Sequence, residues 1–367
     1  MSKKKNKKKH SHAPRTPRPG VRLSQVMIVK NEERNIKRAL SWAKDIAFEQ
    51  IVVDTGSTDR TVEIAKQMGA KIFHFEWIND FSAAKNFAID QAQGDWIAFL
   101  DADEYFSTKD TKKIMPFLKY VMEDRALREK WLVIQCPWAQ IDETGKVFSM
   151  FTQERLFRNL PGLRYEGRIH EKLNVHVDNT VHGDDITIMH TGYSDESHSE
   201  TNKIERNIKM LEVEVKENPD NATYKGYLAE ALKAKAEKAG NYSESSDKIE
   251  ALFYEAIDEK HDVLPLVRKN AYMNLLQTFS ENPEKFDECK KLCENALEIY
   301  PNDLDFEYYY AVALHGKGEY EEAWEALERC KARLTGGEAV IDSQIITTNP
   351  GLLLNQIKLT AEKLGNT

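Results

Sequence analysis

Trp96-Ile97-Ala98-Phe99-Leu100-Asp101-Ala102-Asp103-Glu104 reads as a buried strand that runs straight into three carboxylates. Clustered carboxylates repel and raise one another's pKa, so an apolar strand driven into them calls for a positive counter-charge. A divalent metal is the first candidate. An all-oxygen set favours a hard cation, Mg²⁺ or Mn²⁺, which keeps waters and bridges carboxylates to substrate phosphates. The alternative is a polar turn closing a core strand, and the surrounding sequence decides between the two.

Upstream, short β-rich runs alternate with amphipathic segments. The runs are Gln25–Val29, Gln50–Val53, Lys71–Phe75 and Trp96–Leu100; the helical patterns lie near Glu32–Trp42, Thr58–Met68 and Phe81–Ala92. Strands spaced by helices in this way predict βαβ units and a mostly parallel, Rossmann-like sheet, with ligands beyond the carboxyl ends of the strands. Each of those ends is polar: Lys30-Asn31-Glu32-Glu33, then Asp54-Thr55-Gly56-Ser57-Thr58-Asp59, then Asp101 to Glu104. Gly56 suits a tight turn, and Ser57 or Thr58 is expected to cap the next helix. Asp54 stands at its strand end as an acceptor for a base or ribose. Neither Gly-x-Gly-x-x-Gly after the first strand nor a Gly-x-x-x-x-Gly-Lys-Ser/Thr loop occurs, which speaks against dinucleotide and P-loop enzymes.

Four motifs in order, Val29-Lys30-Asn31-Glu32-Glu33, Val53 to Asp59, Asp80-Phe81-Ser82-Ala83-Ala84-Lys85-Asn86 and Leu100 to Glu104, resemble glycosyltransferase family 2. The resemblance implies a GT-A fold that binds a nucleotide-sugar, usually a uridine diphosphate sugar, with Mn²⁺ or Mg²⁺, and transfers the sugar with inversion. By position it assigns Glu32 and Asp54 to the uridine, Lys85 to the base or diphosphate, Asp101 to the ribose side and Asp103 to the metal. The family usually has Arg at the place of Lys85, and Lys lacks the planar fork.

After a helix expected over Lys109–Arg128 and strands at Trp131–Trp138 and Val147–Thr152 come Glu154-Arg155-Leu156-Phe157-Arg158-Asn159, Tyr165-Glu166-Gly167-Arg168-Ile169-His170-Glu171 and Ile186 to Tyr193. These resemble a narrower group, bacterial family 2 enzymes with helical repeats, among them the sublancin-type peptide S-glycosyltransferases. Inverting transfer needs a base and a positive centre for the departing diphosphate. Glu171 is the candidate base, its pKa to be raised by desolvation, and His170 is the alternative. The resemblance makes His190 a further metal ligand. Arg155, Arg158 and Arg168 are candidates for the diphosphate or an anionic acceptor, with surface pairing to Glu154 and Glu166 as the competing account.

From His198 the strand signal stops and helical periodicity takes over. Phe286, Cys289, Cys293 and Ala296 align with Tyr320, Ala323, Leu327 and Cys330 at an offset of 34 residues, the tetratricopeptide period. The chain therefore reads as a basic, disordered tail over 1–20, a GT-A domain over 21–195, all-α tetratricopeptide-like repeats over 196–335 and a capping helix region over 336–367. Such repeats serve acceptor recognition, self-association into a homo-oligomer, or support of the catalytic domain.

Composition bounds the rest. The 367 residues are 41% hydrophobic and 31% charged, enough for two soluble domains. A net charge of -8 speaks against nucleic-acid binding. The basic start, Lys3, Lys4, Lys5, Lys7, Lys8 and Lys9 among it, is also a candidate for peripheral contact with anionic lipid. The N-terminal stretch lacks the apolar segment of a signal peptide, and four cysteines without a Cys-x-x-Cys pair suit a reducing compartment, so a cytoplasmic location is expected. Two readings compete: a metal-dependent transferase acting on a peptide Cys, Ser or Thr or on a saccharide, and a repeat-based binding protein whose transferase domain is inert.

Overall fold

The computed structural model describes residues 20–191, 197–336, 343 and 345–365. The basic tail, Gly192 and Tyr193 lie outside them. The chain divides into two compact units, Met1–Glu196 and Ser197–Thr367.

The first unit opens with β1 (Leu23–Val29), α1 (Ile36–Ser41), β2 (Glu49–Asp54), α2 (Thr61–Gln67), β3 (Lys71–His74), α3 (Phe81–Gln91) and β4 (Trp96–Phe99). The four strands pair in parallel in the order β3-β2-β1-β4, the parallel sheet that the alternating runs predict. β4 shows why such a sheet needs helices on both faces. Trp96 and Ala98 pack on one side with Leu23, Ile114 and Leu118. Ile97 and Phe99 pack on the other with Val26, Ala88 and Ile89. α1 and α2 cover Met27, Val29 and Val52 through Ile36, Leu40 and Ala65.

Beyond β4 the order becomes mixed: β5 (Glu104–Phe106), α4 (Thr108–Glu123), α5 (Arg125–Lys130), β6 (Val133–Ile141), β7 (Val147–Arg158), β8 (Tyr165–Glu166), β9 (Lys172–Leu173), β10 (Thr180–His182) and β11 (Ile188–His190). β7 lies antiparallel between β4 and β6, and β11 bridges β6 and β5. β8 and β9 form a separate pair.

Several expected boundaries move for local reasons. The helix expected over Lys109–Arg128 is two helices, because Asp124 is extended (φ -85°, ψ 121°) and its carboxylate accepts from Leu127 N to start the second. Neither Ser57 nor Thr58 caps α2. Asp59 does that work, its Oδ1 accepting from Thr61 N at 3.0 Å and Thr61 Oγ1 at 2.5 Å. The strand expected to stop at Thr152 continues to Arg158.

In the second unit the described residues form α6 (Ser197–Glu217), α7 (Ala222–Ala239), α8 (Tyr242–Ile257), α9 (Pro265–Ser280), α10 (Phe286–Ile299), α11 (Leu304–Lys317), α12 (Tyr320–Thr335), α13 (Ile345–Thr348) and α14 (Pro350–Lys363). Each of α6 to α11 packs on its successor, α7 and α11 also touch α9, and α14 packs on α12, the nearest-neighbour pattern of a helical solenoid. α10 and α12 begin at Phe286 and Tyr320, so the repeat offset is in phase, with Cys289, Cys293, Ala296, Ala323, Leu327 and Cys330 all buried. Gly316 belongs to α11 rather than to the turn. A Cβ there would fall 2.4 Å from the Phe286 ring, so glycine is what lets that ring seat against the helix. No helix of the described residues is long and apolar enough to cross a membrane.

Leu118 is fully buried under the sheet. Leu118→Ala should lower unfolding free energy by about 2–5 kcal/mol in a urea titration; an unchanged midpoint would remove α4 from the core as described.

Candidate active site

Because β1, β2 and β4 are parallel neighbours, their carboxyl ends share one edge. The loop after β1 is tied to the loop after β2. Asn31 adopts a left-handed φ of 58°, its Oδ1 accepts from Thr58 N at 2.8 Å, and its own N–H donates to Ser57 Oγ at 2.9 Å. Glu32 N donates to Thr61 Oγ1 at 2.7 Å, while the Glu32 carboxylate accepts from Asn35 Nδ2 at 2.9 Å. Asp54 is buried and accepts from Gly56 N and Ser57 N at 3.2 and 3.0 Å, with His74 Nδ1 3.4 Å from it. Gly56 makes that turn at a φ of 107°.

At the end of β4 the three carboxylates separate into two sets. The Arg155 guanidinium, held on β7, donates through Nη2 to Asp101 Oδ2 at 2.9 Å and to Glu104 Oε1 at 2.7 Å. Glu104 is only 1% exposed and also accepts from Trp138 Nε1 at 2.8 Å and Asp101 N at 2.9 Å. The protein's own arginine thus supplies counter-charge for two of the three carboxylates. Arg155 is not a surface residue paired with Glu154, and its guanidinium is committed to these carboxylates rather than held out for a diphosphate. Burial works to raise the Asp101 carboxyl, but Arg155 and then Lys85 outweigh it and leave the group below its ordinary value. Arg158 instead donates to Arg128 O at 3.0 Å with its guanidinium over Trp96, and Arg168 lies 3.6 Å from Asp80.

Asp103 has a different partner. Its Oδ2 is 3.2 Å from His190 Nε2, and Thr191 N donates to Asp103 O at 3.1 Å. The His190 ring stacks on Trp138 with centroids 4.3 Å apart, so Glu104 orients, through Trp138, the imidazole that meets Asp103. Arg38 Nη2 donates to Thr191 Oγ1 at 2.6 Å and completes the support. Among the described residues no three His, Cys, Asp or Glu side chains gather as a metal cage. One carboxylate and one imidazole nitrogen, 28% and 13% exposed, are a donor set that fits a divalent ion whose remaining positions are taken by phosphate oxygens and water.

The third part of the site joins two motifs far apart in sequence. Lys85, on α3, is 3% exposed, and its Nζ is 2.6 Å from Glu171 Oε1. Burial works against its charge, yet Asp101 and Glu171 together hold the ammonium above its ordinary pKa. The rest of α3 grips the same loop. Asn86 exchanges two 2.9 Å hydrogen bonds with the Tyr165 backbone, Ser82 Oγ donates to Gly167 O at 2.5 Å, and Phe81 N donates to Arg168 O at 2.8 Å. Asp80 caps the helix through Ala83 N at 2.8 Å. Glu171 therefore has a counter-cation where the sequence reading had it desolvated. His170 is exposed at a φ of 54°. Sequence reasoning placed Lys85 and Glu171 separately and gave no role to Trp138, Arg38 or Asn86.

Residues 24–124 match glycosyl transferase family 2, and this stretch of the chain is a family 2 domain. A TPR repeat-containing protein of Synechococcus elongatus is 39% identical over 157 residues, 41% of this chain and 36% of that protein. The SPbeta prophage-derived glycosyltransferase SunS of Bacillus subtilis is 27% identical over 298 residues, 78% of this chain and 65% of SunS. The chain thus spans under two thirds of the length of either relative. Among solved structures, S. aureus TarS in complex with UDP-GlcNAc is 16% identical at a TM-score of 0.38, covering 81% of this chain and 92% of that one. Glucosyl-3-phosphoglycerate synthase from Mycobacterium tuberculosis, with Mn²⁺ and UDP, is 21% identical at a TM-score of 0.26, covering 32% and 44%.

Arg155→Met strands the buried Glu104 carboxylate and should cost about 3–5 kcal/mol of stability in chemical denaturation. Adding Glu104→Gln to that variant should recover part of the loss. Equal stability of the single and double variants would mean that the pair does not hold this corner together.

Proposed function

We propose that the chain transfers a hexose from a nucleotide-sugar, a uridine diphosphate sugar before others, to an acceptor, with inversion at the sugar carbon and with a divalent metal. The observation that supports this is that Asp54 and Asp101 stand at the carboxyl ends of β2 and β4, the two strands flanking β1 in a family 2 domain, with the Asp103–His190 pair just beyond β4.

In this reading Glu32 and Asp54 receive the uridine, and Asp101, fixed by Arg155, receives the ribose side. Lys85 is nearly sealed from solvent, so it acts by placing positive charge behind Asp101 and Glu171. A Mn²⁺ or Mg²⁺ ion held by Asp103 and His190 would draw off charge from the departing diphosphate. Glu171 is the more exposed end of its ion pair, 16% against 4% for Lys85, and takes the acceptor proton; His170 is next in line.

The acceptor in this proposal is a Cys, Ser or Thr side chain of a peptide. The motifs from Glu154 onward resemble those of peptide S-glycosyltransferases. The 298 residues aligned with SunS also exceed the length of the first unit, so the likeness reaches into the helical unit. A saccharide hydroxyl is the competing acceptor.

Donor hydrolysis should be measured against a panel of nucleotide-sugars with Mn²⁺, Mg²⁺ or chelator. Release of nucleoside diphosphate from one donor, lost with chelator, is the expected result; no hydrolysis and no thermal shift with any donor would remove the transferase reading. Asp103→Ala should abolish metal-dependent turnover while leaving the melting temperature unchanged, and full activity in that variant would remove the metal site. Glu171→Gln should lower kcat by at least about a hundredfold with little change in donor affinity. Collapse of donor affinity at unchanged kcat would make Glu171 a binding residue instead.

A further inference from the structure

Among the described residues, β7 has a strand neighbour on both sides only near its end. β4 pairs with Leu156, Phe157 and Arg158, whereas β6 pairs along β7 from Val147 to Phe157. Along Ser149–Gln153, β6 is the sole hydrogen-bonded strand neighbour among the described residues. The pairing there is regular, from Gln140↔Ser149 to Cys136↔Gln153, and both register shifts lie outside it.

This bare edge lies beside the site. It begins where Arg155 reaches Asp101, past the end of β4. The Phe151 ring is 6.2 Å from Trp138, which stacks on His190 next to Asp103.

Its chemistry is unusual for an exposed edge. Ser149-Met150-Phe151-Thr152-Gln153 carries no charge and no proline, and Met150 and Phe151 are 58% and 51% exposed. Sheets ordinarily guard such edges with Lys, Pro or a bulge, because open N–H and C=O groups template another strand. The edge adjoins Arg155, the residue that holds Asp101, and that proximity argues for a substrate over a permanent partner.

We propose that this edge takes the acceptor as an added strand. An extended peptide pairs with β7 along Ser149–Gln153, and its alternate side chains lie against Met150 on one face and Phe151 on the other. A saccharide offers no matching row of amides. The uncharged flanks select a peptide whose residues around the modified side chain are apolar or neutral. This inference rests on the peptide-acceptor reading above.

The test uses the full chain, the donor found by hydrolysis, and short synthetic peptides with a central cysteine, serine or threonine flanked by alternating valine and threonine. Met150→Lys should lower kcat/KM for peptide transfer roughly tenfold or more beyond any change in donor hydrolysis. N-methylation of alternate peptide amides should lower transfer by a similar factor in one register and leave it within about twofold in the other. Transfer that tolerates both N-methyl registers and the Met150→Lys change would overturn the strand-addition mode while leaving the peptide acceptor in place. A Met150→Lys variant that loses self-association but transfers to peptide normally would assign the edge to a second copy. Sugar transfer to saccharides with no peptide modified would overturn both this inference and the reading it rests on.

Discussion

The buried contact of Arg155 with Asp101 and Glu104 is the constraint on which the rest of the first unit depends. A carboxylate that is 1% exposed is tolerable only beside a cation and with further donors, and Glu104 has both. That contact brings the end of β4 onto β7 and sets Trp138 over the His190 ring. Asp103 is then left as the carboxylate of the cluster that meets an imidazole rather than the guanidinium. A site with charge to spare for a ligand is made by satisfying every other charge around it.

A second lock closes the opposite wall. α3 and the loop from Tyr165 to Glu171 are stitched by hydrogen bonds from Phe81 N and the Ser82 and Asn86 side chains to the loop backbone, with the Lys85–Glu171 ion pair at the centre. The motif around Lys85 thus has two tasks in one helix. One face anchors a distant loop, and the buried ammonium, lying over Phe99 and Tyr165, sets the potential under Asp101.

Much of this was legible in the chain. β1, β2 and β4 announce themselves as apolar runs with polar ends, because strands buried on both faces are mostly apolar. The 34-residue phase of α10 and α12 was visible because a solenoid repeats its own contacts. β5 and β10 were not, since three-residue strands exist only through their partners. The same reason hid the role of Arg155: its neighbours in sequence are Glu154 and Leu156, but its partners lie 54 and 51 residues upstream. The carboxylate cluster was correctly seen to need positive charge, and pairwise sequence reasoning had no means of knowing that an arginine would provide most of it. Capping of α2 was misplaced because Ser57 is drawn to Asn31 across two loops.

The distance from Asp101 to Arg155 also bears on how the chain is made. At about 5–20 residues per second, the carboxylates leave the ribosome roughly 3 to 10 s before the arginine that will neutralise them. During that interval β4, which includes Trp96 and Phe99, lacks its antiparallel neighbour β7 and is open to association with other chains. Asp101, Asp103 and Glu104 then stand at its end as uncompensated charge, the kind of gatekeeper that keeps an apolar strand from aggregating. The same three side chains that shape the crevice in the folded protein shield its central strand before the fold exists.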